Sequence, residues 1–179
     1  MYFSEIVRYT REHYLEHLPS LIADCKAQYS DNIPVIAPVT LDIASAVGGV
    51  IKLARSTLPQ YAIDCSNKEP LDTDPDNLYL YGYTGQFQFL CSASNPDTAE
   101  EVARRHAWMF EKFCKEHANL HIYSFTGGTI QELNCFGTDL VGSMNLNPEG
   151  SPDGELWVAG GSMDISWKVS ENGYYQHGS

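Results

Sequence analysis

Apolar and polar residues alternate strictly near the C-terminal end of this chain, and the pattern predicts a β-strand. Between positions 162 and 169 the apolar side chains are Met163, Ile165, Trp167 and Val169, and the polar ones are Ser162, Asp164, Ser166 and Lys168. Successive side chains of a strand point to opposite faces of its sheet. One face of the predicted sheet is therefore buried, and the other is polar.

An opening helix is predicted over residues 3–28, where apolar residues recur at intervals of three and four. Pro19 has no amide hydrogen to donate within a helix, so we expect a kink there or two short helices that meet near His17. A further helix is possible over residues 41–58, although a Gly-Gly pair weakens the pattern.

The helix predicted over residues 97–117 has the more regular pattern. Asp97 stands at its start with Glu100 three residues later, as in a capping box. Its apolar stripe consists of Val102, His106, Met109, Phe110, Phe113 and Cys114. Because His106 lies on this stripe, we expect it to be a hydrogen-bonded core histidine rather than a metal ligand.

The remaining apolar runs predict strands. Leu78–Tyr83 and Gln86–Cys91 flank the dipeptide Thr84–Gly85, a pattern typical of a β-hairpin. Further strands are predicted over residues 61–65, 120–125 and 129–136. The polar segment 66–77 contains three Asp and two Pro, which indicates a loop or mobile flap.

This order of elements predicts an α+β fold. We expect a mainly antiparallel β-sheet with two or three helices packed on one face, forming a two-layer sandwich. A chain of 179 residues fits a single domain over residues 1–179. The last residues, 174–179, are expected to form a frayed tail.

The charge is distributed unevenly along the chain. The formal net charge is −12, and nine of the eleven Lys and Arg lie in segments predicted to be helical. Residues 58–101 carry eight acids and one base, and residues 117–179 carry seven acids and one base. An acidic surface repels phosphates, which argues against stable nucleic-acid binding. The simplest interpretation of these acids is solubility.

Composition and cysteine spacing indicate an ordered protein of a reducing compartment. Hydrophobic residues make up 43% of the chain, enough for a core. Five widely spaced cysteines without a C-x-x-C pair predict free thiols rather than disulfides or a zinc ribbon. No segment approaches the roughly 20 apolar residues needed to cross a bilayer. The charged first helix is unlike a signal peptide, so a cytosolic protein is expected.

One motif has the spacing of a metal site. The segment from His13 to His17, with Glu16 inside it, has the H-x-x-E-H form of an inverted zinc-peptidase helix. In that motif two histidines bind zinc and the glutamate acts as a base. The nearby Pro19, the short chain and the lack of a distinctive third ligand argue against a peptidase. We therefore expect a solvated helix face here and keep a zinc peptidase as a remote alternative.

The sequence carries no other recognisable catalytic or cofactor motif. It contains no nucleophile elbow, phosphate-binding loop, dinucleotide-binding glycine pattern or EF-hand. The glycine pairs at 127–128 and 160–161 are expected to form bends or bulges. The run Asp72, Asp74, Asp76 lacks the glycine and the terminal glutamate of a calcium loop. We therefore predict that the protein is not an enzyme, with no catalytic, cofactor-binding or metal-binding residues.

The layout as a whole carries a family resemblance. Its elements are the opening helix with Leu18–Pro19, the strand start at 58–63, the strand 87–93, the helix from Asp97, and the run 156–159 leading into the strand 163–169. In this layout the chain resembles the tail terminator (tail completion) proteins of long-tailed bacteriophages, which are small α+β proteins. Residues 29–56 and 66–77 depart from the compact form of that family.

The resemblance implies a structural virion protein, present in the virion and, during assembly, in the host cytoplasm. It implies self-association into a ring, expected to be a hexamer, that caps the tail tube and contacts the tail tube and head-completion proteins. An acidic lumen would repel the DNA that passes through it without specific binding. The main alternative is a monomeric acidic binding or immunity-like protein that neutralises a basic protein partner.

Overall fold

The computed structural model describes residues 3–40, 58–73, 78–116, 124–125, 128–146 and 154–172. Within these residues there are two helices and six strands. In chain order they are α1 (Phe3–Tyr29), β1 (Val39–Thr40), β2 (Gln60–Thr73), β3 (Leu78–Ala93), α2 (Pro96–Glu116), β4 (Ser124–Phe125), β5 (Gly128–Asn145) and β6 (Trp157–Asn172).

All six strands belong to one sheet, in the order β1-β2-β3-β6-β5-β4. The two-residue strand β1 runs parallel to β2, and every other neighbouring pair is antiparallel. The last strand, β6, lies between β3 and β5 and pairs with β3 along its whole length. Both helices pack on this sheet, which confirms the predicted α+β two-layer architecture.

The alternation in β6 places its apolar side chains beneath the helices, as predicted. Those that are at most 1% exposed are Met163, Ile165, Trp167 and Val169. The indole Nε1 of Trp167 donates a 2.8 Å hydrogen bond to Thr10 Oγ1. That hydroxyl in turn donates to the carbonyl of Ile6 at 2.8 Å. This buried chain of hydrogen bonds satisfies the indole and ties α1 to the centre of the sheet.

Aromatic rings fill the layer between α1, α2 and β3. Phe87 of β3 and Phe110 of α2 stack with their centroids 3.8 Å apart and their planes 8° apart. Tyr14 of α1 meets the two rings edge-on, at 5.7 and 5.3 Å. All three side chains are at most 1% exposed. Stacked and edge-on contacts stabilise a core beyond the area that they bury, so this cluster holds the two layers together.

α1 is one continuous helix from Phe3 to Tyr29 with Pro19 inside it. Of the two alternatives predicted at Pro19, two short helices that meet near His17 are therefore wrong, and a kink stays a prediction. The hydroxyl of Ser20 donates to the carbonyl of His17 at 2.7 Å. This side-chain bond adds a second donor to a carbonyl beside the proline; the carbonyl that lacks its helical amide donor because of Pro19 is that of Leu15.

The start of α2 differs from the prediction by two residues. Asn95, rather than Asp97, is the N-cap: its Oδ1 accepts a hydrogen bond from the amide of Thr98 at 2.9 Å. Pro96 occupies the first helical position, where its missing N–H costs nothing. The predicted burial of the apolar stripe of α2, including His106, is confirmed. The hydrogen bond expected for His106 is not found at its Nε2 among the described residues.

The predicted turn at Thr84–Gly85 is wrong. β3 is a single strand that runs through both residues, and Gly85 pairs with Cys65 of β2. A Cβ at Gly85 would lie 1.9 Å from the carbonyl oxygen of Asp64, next to a register shift between Cys65 and Asn67. The glycine is thus required by a β-bulge in the neighbouring strand, rather than by a reversal of its own.

The predicted loop at 66–77 is wrong for residues 66–73, which continue β2 in antiparallel pairing with β3. Two register shifts, at Cys65/Asn67 and at Pro70/Asp72, allow this polar stretch with its proline to remain in the strand. The possible helix at 41–58, except for Leu58, and the tail at 174–179 lie outside the described residues.

Two clusters of charged residues tie loops and strands to the helix-covered side. Arg105 of α2 is 2% exposed, and its guanidinium binds both carboxylate oxygens of Asp31, which follows α1. This hydrogen bonding lowers the pKa of Asp31 to about 2. At the other end of the sheet, Lys68 Nζ lies 2.8 Å from Glu171 Oε1, and Tyr83 donates to the same carboxylate oxygen. Burial, together with this hydrogen bond, raises the pKa of Tyr83.

None of the helices in the described part of the chain is long and apolar enough to span a bilayer.

Candidate functional site

The face of the sheet turned away from the two helices is the main candidate site, and we call it the open face. Cross-strand partners share a face, so the register assigns its members. Its described charged and amide side chains are Gln60, Asp64, Asn67, Glu69, Gln86, Gln88, Glu132, Asn134, Asp139, Asp164 and Lys168. In the described part of the chain, no helix lies on this face.

The charges of the open face are predominantly negative. Among its described side chains, Lys168 is the one base, opposed to the five acids Asp64, Glu69, Glu132, Asp139 and Asp164. Lys168 lies directly across from Glu132. Gln86 Nε2 donates to Asp164 Oδ1 at 3.2 Å, and Gln88 Nε2 donates to Gln86 Oε1 at 3.1 Å. The result is a polar, negatively charged surface across the four long strands.

One end of the open face is apolar. A groove of about 510 Å³ runs over β2, β3, β6 and β5, and its walls include Leu90, Val141, Met144 and Val158. A Cβ at Gly160, in its floor, would lie 2.2 Å from the carbonyl oxygen of Phe89. Gly160 and Gly161 continue β6 in regular register with β3, so the bend or bulge predicted there is wrong for that pairing.

Both edges of the sheet are incompletely covered. β1 pairs with β2 only at Gln60 and Tyr61, and β4 pairs with β5 only at Gly128 and Thr129. The described residues place no further strand beside the outer edges of β2 and β5. The outer part of β5 also exposes four large apolar side chains, which are Phe136, Leu140, Val141 and Met144. An exposed apolar edge strand is a template for pairing with another chain.

This edge was not predicted from the sequence. The strand was predicted to end at Phe136, whereas β5 continues to Asn145. The signal that could have found it is the presence of Phe136, Leu140, Val141 and Met144 in the segment 136–145, although Gly137 and Gly142 interrupt it. Gly137 has a φ of 68°, and the register shifts between Phe136 and Thr138. That bulge breaks the period of two on which strand prediction depends.

The H-x-x-E-H motif lies on α1, away from the open face. The ligand atoms of His13, Glu16 and His17 lie within 4.8 Å of one another. His13 is buried and Glu16 is exposed. The sequence predicted a solvated helix face, and this is wrong for His13, whose ring packs against Phe113 of α2 with centroids 5.4 Å apart.

Two further sets of titratable side chains lie on the helix-covered side, the imidazole of His106 and the thiols of Cys114 and Cys135. His106 is 2% exposed, and its Nε2 has no hydrogen-bond partner among the described residues. Burial lowers the pKa of His106 to about 4, so the imidazole is neutral at pH 7.

The five cysteines are free thiols. The thiols of Cys114 and Cys135 hydrogen-bond to each other, and this contact raises the pKa of Cys114 and lowers that of Cys135.

The remaining sequence candidates do not come together in the described residues. Asp72 lies in β2, and Asp74 and Asp76 lie outside the described residues. Glu100, the glutamate of the predicted capping box, accepts hydrogen bonds from the amide and hydroxyl of Ser143 at 3.1 Å each. These bonds lower the pKa of Glu100 and join α2 to β5.

Comparison with protein-family models finds no match, and comparison with curated protein sequences finds none either.

Proposed function

We propose that this chain is a structural subunit that assembles into a ring, as in the tail terminator proteins that it resembles, with the open face lining a lumen through which DNA passes. The observation that carries the proposal is the contrast between the two faces of the sheet. The helices cover one face, while the other carries five acids and one base in the described residues. A lumen of this charge repels the phosphates of DNA and keeps it from sticking.

The two sheet edges support assembly from head to tail. The strand directions alternate from β2 to β3, β6 and β5, so β2 and β5 run in opposite directions. If β5 of one copy lies beside β2 of the next in a cyclic arrangement, the two strands meet antiparallel, and the sheet continues from subunit to subunit. Such a heterologous contact closes into a ring when the rotation between subunits allows it.

The same arrangement accounts for the exposed apolar side chains of β5. Each contact would cover the edge that carries Val141 and Met144, which are 64% and 61% exposed in the single chain. The helices would then lie on the outside of the ring, where α1 and α2 present charges of both signs. We expect a hexamer that contacts the tail tube and the head-completion proteins at its two ends.

Mass and shape in solution test this proposal. Multi-angle light scattering of the full chain over a range of concentrations should give a particle of about 120 kDa, six times the 20.0 kDa chain. Negative-stain images of that particle should show rings. Only monomers at high concentration, both alone and with tail tubes, would contradict the proposal. That result would favour a monomeric acidic protein that binds a basic partner.

A charged residue on the β5 edge provides the matched test of the contact. Val141→Lys places an ammonium group on the edge that the ring would bury, and should shift the mass toward the monomer. Gln28→Lys adds the same charge to an exposed position of α1 and should leave the ring intact. Equal effects of the two variants would place the contact elsewhere.

A further inference from the structure

A cluster of three potential metal ligands lies on one face of α1. His13, Glu16 and His17 occupy positions i, i+3 and i+4, and their ligand atoms lie within 4.8 Å of one another. Within the cluster, His13 Nδ1 lies 3.8 Å from Glu16 Oε2. Zinc binds imidazole nitrogen at 2.0–2.1 Å and carboxylate oxygen at 2.0–2.2 Å. Two donors on one tetrahedral zinc are therefore about 3.4 Å apart, close to the distance between these two atoms.

Packing against α2 holds the two imidazoles near each other. The rings of His13 and His17 meet edge-on with centroids 4.6 Å apart. Phe113 contacts both of them, with its centroid 5.4 Å from that of His13 and 6.3 Å from that of His17. The side chain of His13 is 3% exposed and that of Glu16 is 68% exposed. A buried ligand thus sets the position of the site, and an exposed one leaves a path for an ion from solvent.

The continuous helix shows that the nearby proline does not disturb the helical spacing of these three residues. Pro19 does not end α1, so the i, i+3, i+4 spacing is preserved from His13 to His17. Drawing atoms that are 4.8 Å apart onto one ion requires a movement of about 1.4 Å, which torsions of the longer or more exposed side chains can supply. Two neutral imidazoles and a carboxylate form a donor set that suits zinc.

We propose that His13, Glu16 and His17 bind one zinc ion, with water in the fourth position. Here Glu16 is a ligand rather than a general base, so the site differs from that of a zinc peptidase. All three ligands come from two turns of one helix, and the bound ion would link those turns. This inference does not depend on ring assembly, because the site lies on α1 rather than on a sheet edge.

Calorimetric titration of the chelator-treated full chain with zinc chloride tests the site. We expect one zinc per chain. His17→Gln and Glu16→Gln should each weaken the affinity at least tenfold, since each removes one of three ligands. Glu12→Gln, at an exposed position on the same helix, should leave the affinity unchanged. Circular dichroism of each variant checks that it is folded, and His13 is left intact because it is buried.

The titration can contradict the proposal in three ways. The absence of zinc binding at pH 7.5 would overturn the proposal. So would zinc binding that survives His17→Gln, because the chain has six histidines and other donors would then hold the ion. Binding that is lost in His17→Gln but unchanged in Glu16→Gln would overturn the three-ligand site.

Discussion

The two faces of the sheet carry opposite chemistry on the same four long strands. The helix-covered face is dry and aromatic, with Phe87 stacked on Phe110 and Trp167 bonded to Thr10. The open face is acidic, and its polar side chains form hydrogen bonds with one another, such as the one from Gln86 to Asp164. Because a strand alternates its side chains between faces, the sequence can set the two surfaces independently. The covered face therefore accounts for stability, which leaves the open face available for contacts with other molecules.

The largest expected difference between the two sides of the sheet comes from removing one phenylalanine ring from each side, Phe110 of α2 and Phe136 of β5. Phe110 is fully buried, so Phe110→Ala should lower the free energy of unfolding by about 3–5 kcal/mol through lost burial and a cavity. Phe136 on the open face is 53% exposed, and Phe136→Ala should cost less than about 1 kcal/mol. Denaturant unfolding of both variants measures the difference. Equal losses would show that the open face is buried in solution.

The buried imidazole of His106 makes the stability of the covered side depend on pH. Its folded-state pKa of about 4 lies below the ordinary value of 6.5, so the unfolded chain binds the proton more readily between these values. The contribution of His106 to stability is therefore complete above about pH 6.5 and is lost as the pH falls toward 4, by about 3 kcal/mol in total. His106→Leu should flatten this part of the stability profile, measured by denaturant unfolding at several pH values. An unchanged slope would show that another group titrates.

Two lysines allow the same comparison for ion pairs. Lys68→Met leaves the carboxylate of Glu171, which is 8% exposed, without its cation, and should cost about 2 kcal/mol. Lys168→Met removes a lysine of the open face that lies opposite Glu132, and should change stability by less than about 0.5 kcal/mol. Thermal or denaturant unfolding separates the two. A larger loss from Lys168→Met would reverse the assignment of the buried ion pair.

The smallest effect on stability, and the clearest test of function, is expected from neutralising the open face. The triple variant Asp64→Asn, Asp139→Asn, Asp164→Asn should unfold within about 0.5 kcal/mol per site of the wild type. If the open face lines a lumen, the assembled variant should retain duplex DNA in a gel-shift assay more strongly than the wild type does. The matched control replaces Glu5, Glu12 and Asp97 of the two helices by their amides, and should not change retention. Equal retention of DNA by both variants would show that the acids of the open face do not keep DNA from binding.

The sequence predicted those elements whose pattern repeats without interruption. The alternation of Met163 to Val169 and the helical stripe from Val102 to Cys114 each depend on many equivalent positions, and both were confirmed. One of the errors occurred where a residue served a neighbouring strand. Gly85 was interpreted as part of a turn. A glycine is needed there because the backbone of Asp64 in β2 lies close to it, and no local sequence pattern indicates that contact.

The candidate site was only partly accessible from the sequence. The excess of acids outside the helices is a property of the sequence, but the gathering of Asp64, Asp139 and Asp164 on one face depends on strand order and register. The bulges in β2 and β5 shift the period of two, so local alternation could not assign that face. The spacing of His13, Glu16 and His17 was evident, whereas the burial of His13 against Phe113 depends on how α2 crosses α1.

The exposed edge of β5 has a consequence for ionic strength. Between Gly128 and Asn145 the strand contains Glu132 and Asp139 but no lysine or arginine, so its charge repels any equally acidic neighbour. Added salt shortens the distance over which such charges act, from about 10 Å at 0.1 M to about 3 Å at 1 M. Self-association through this edge should therefore strengthen as salt is added, whereas capture of a basic protein should weaken. Light scattering of the unmodified chain at several salt concentrations would distinguish self-association from capture of a basic protein. At low salt the net charge of −12 would oppose assembly.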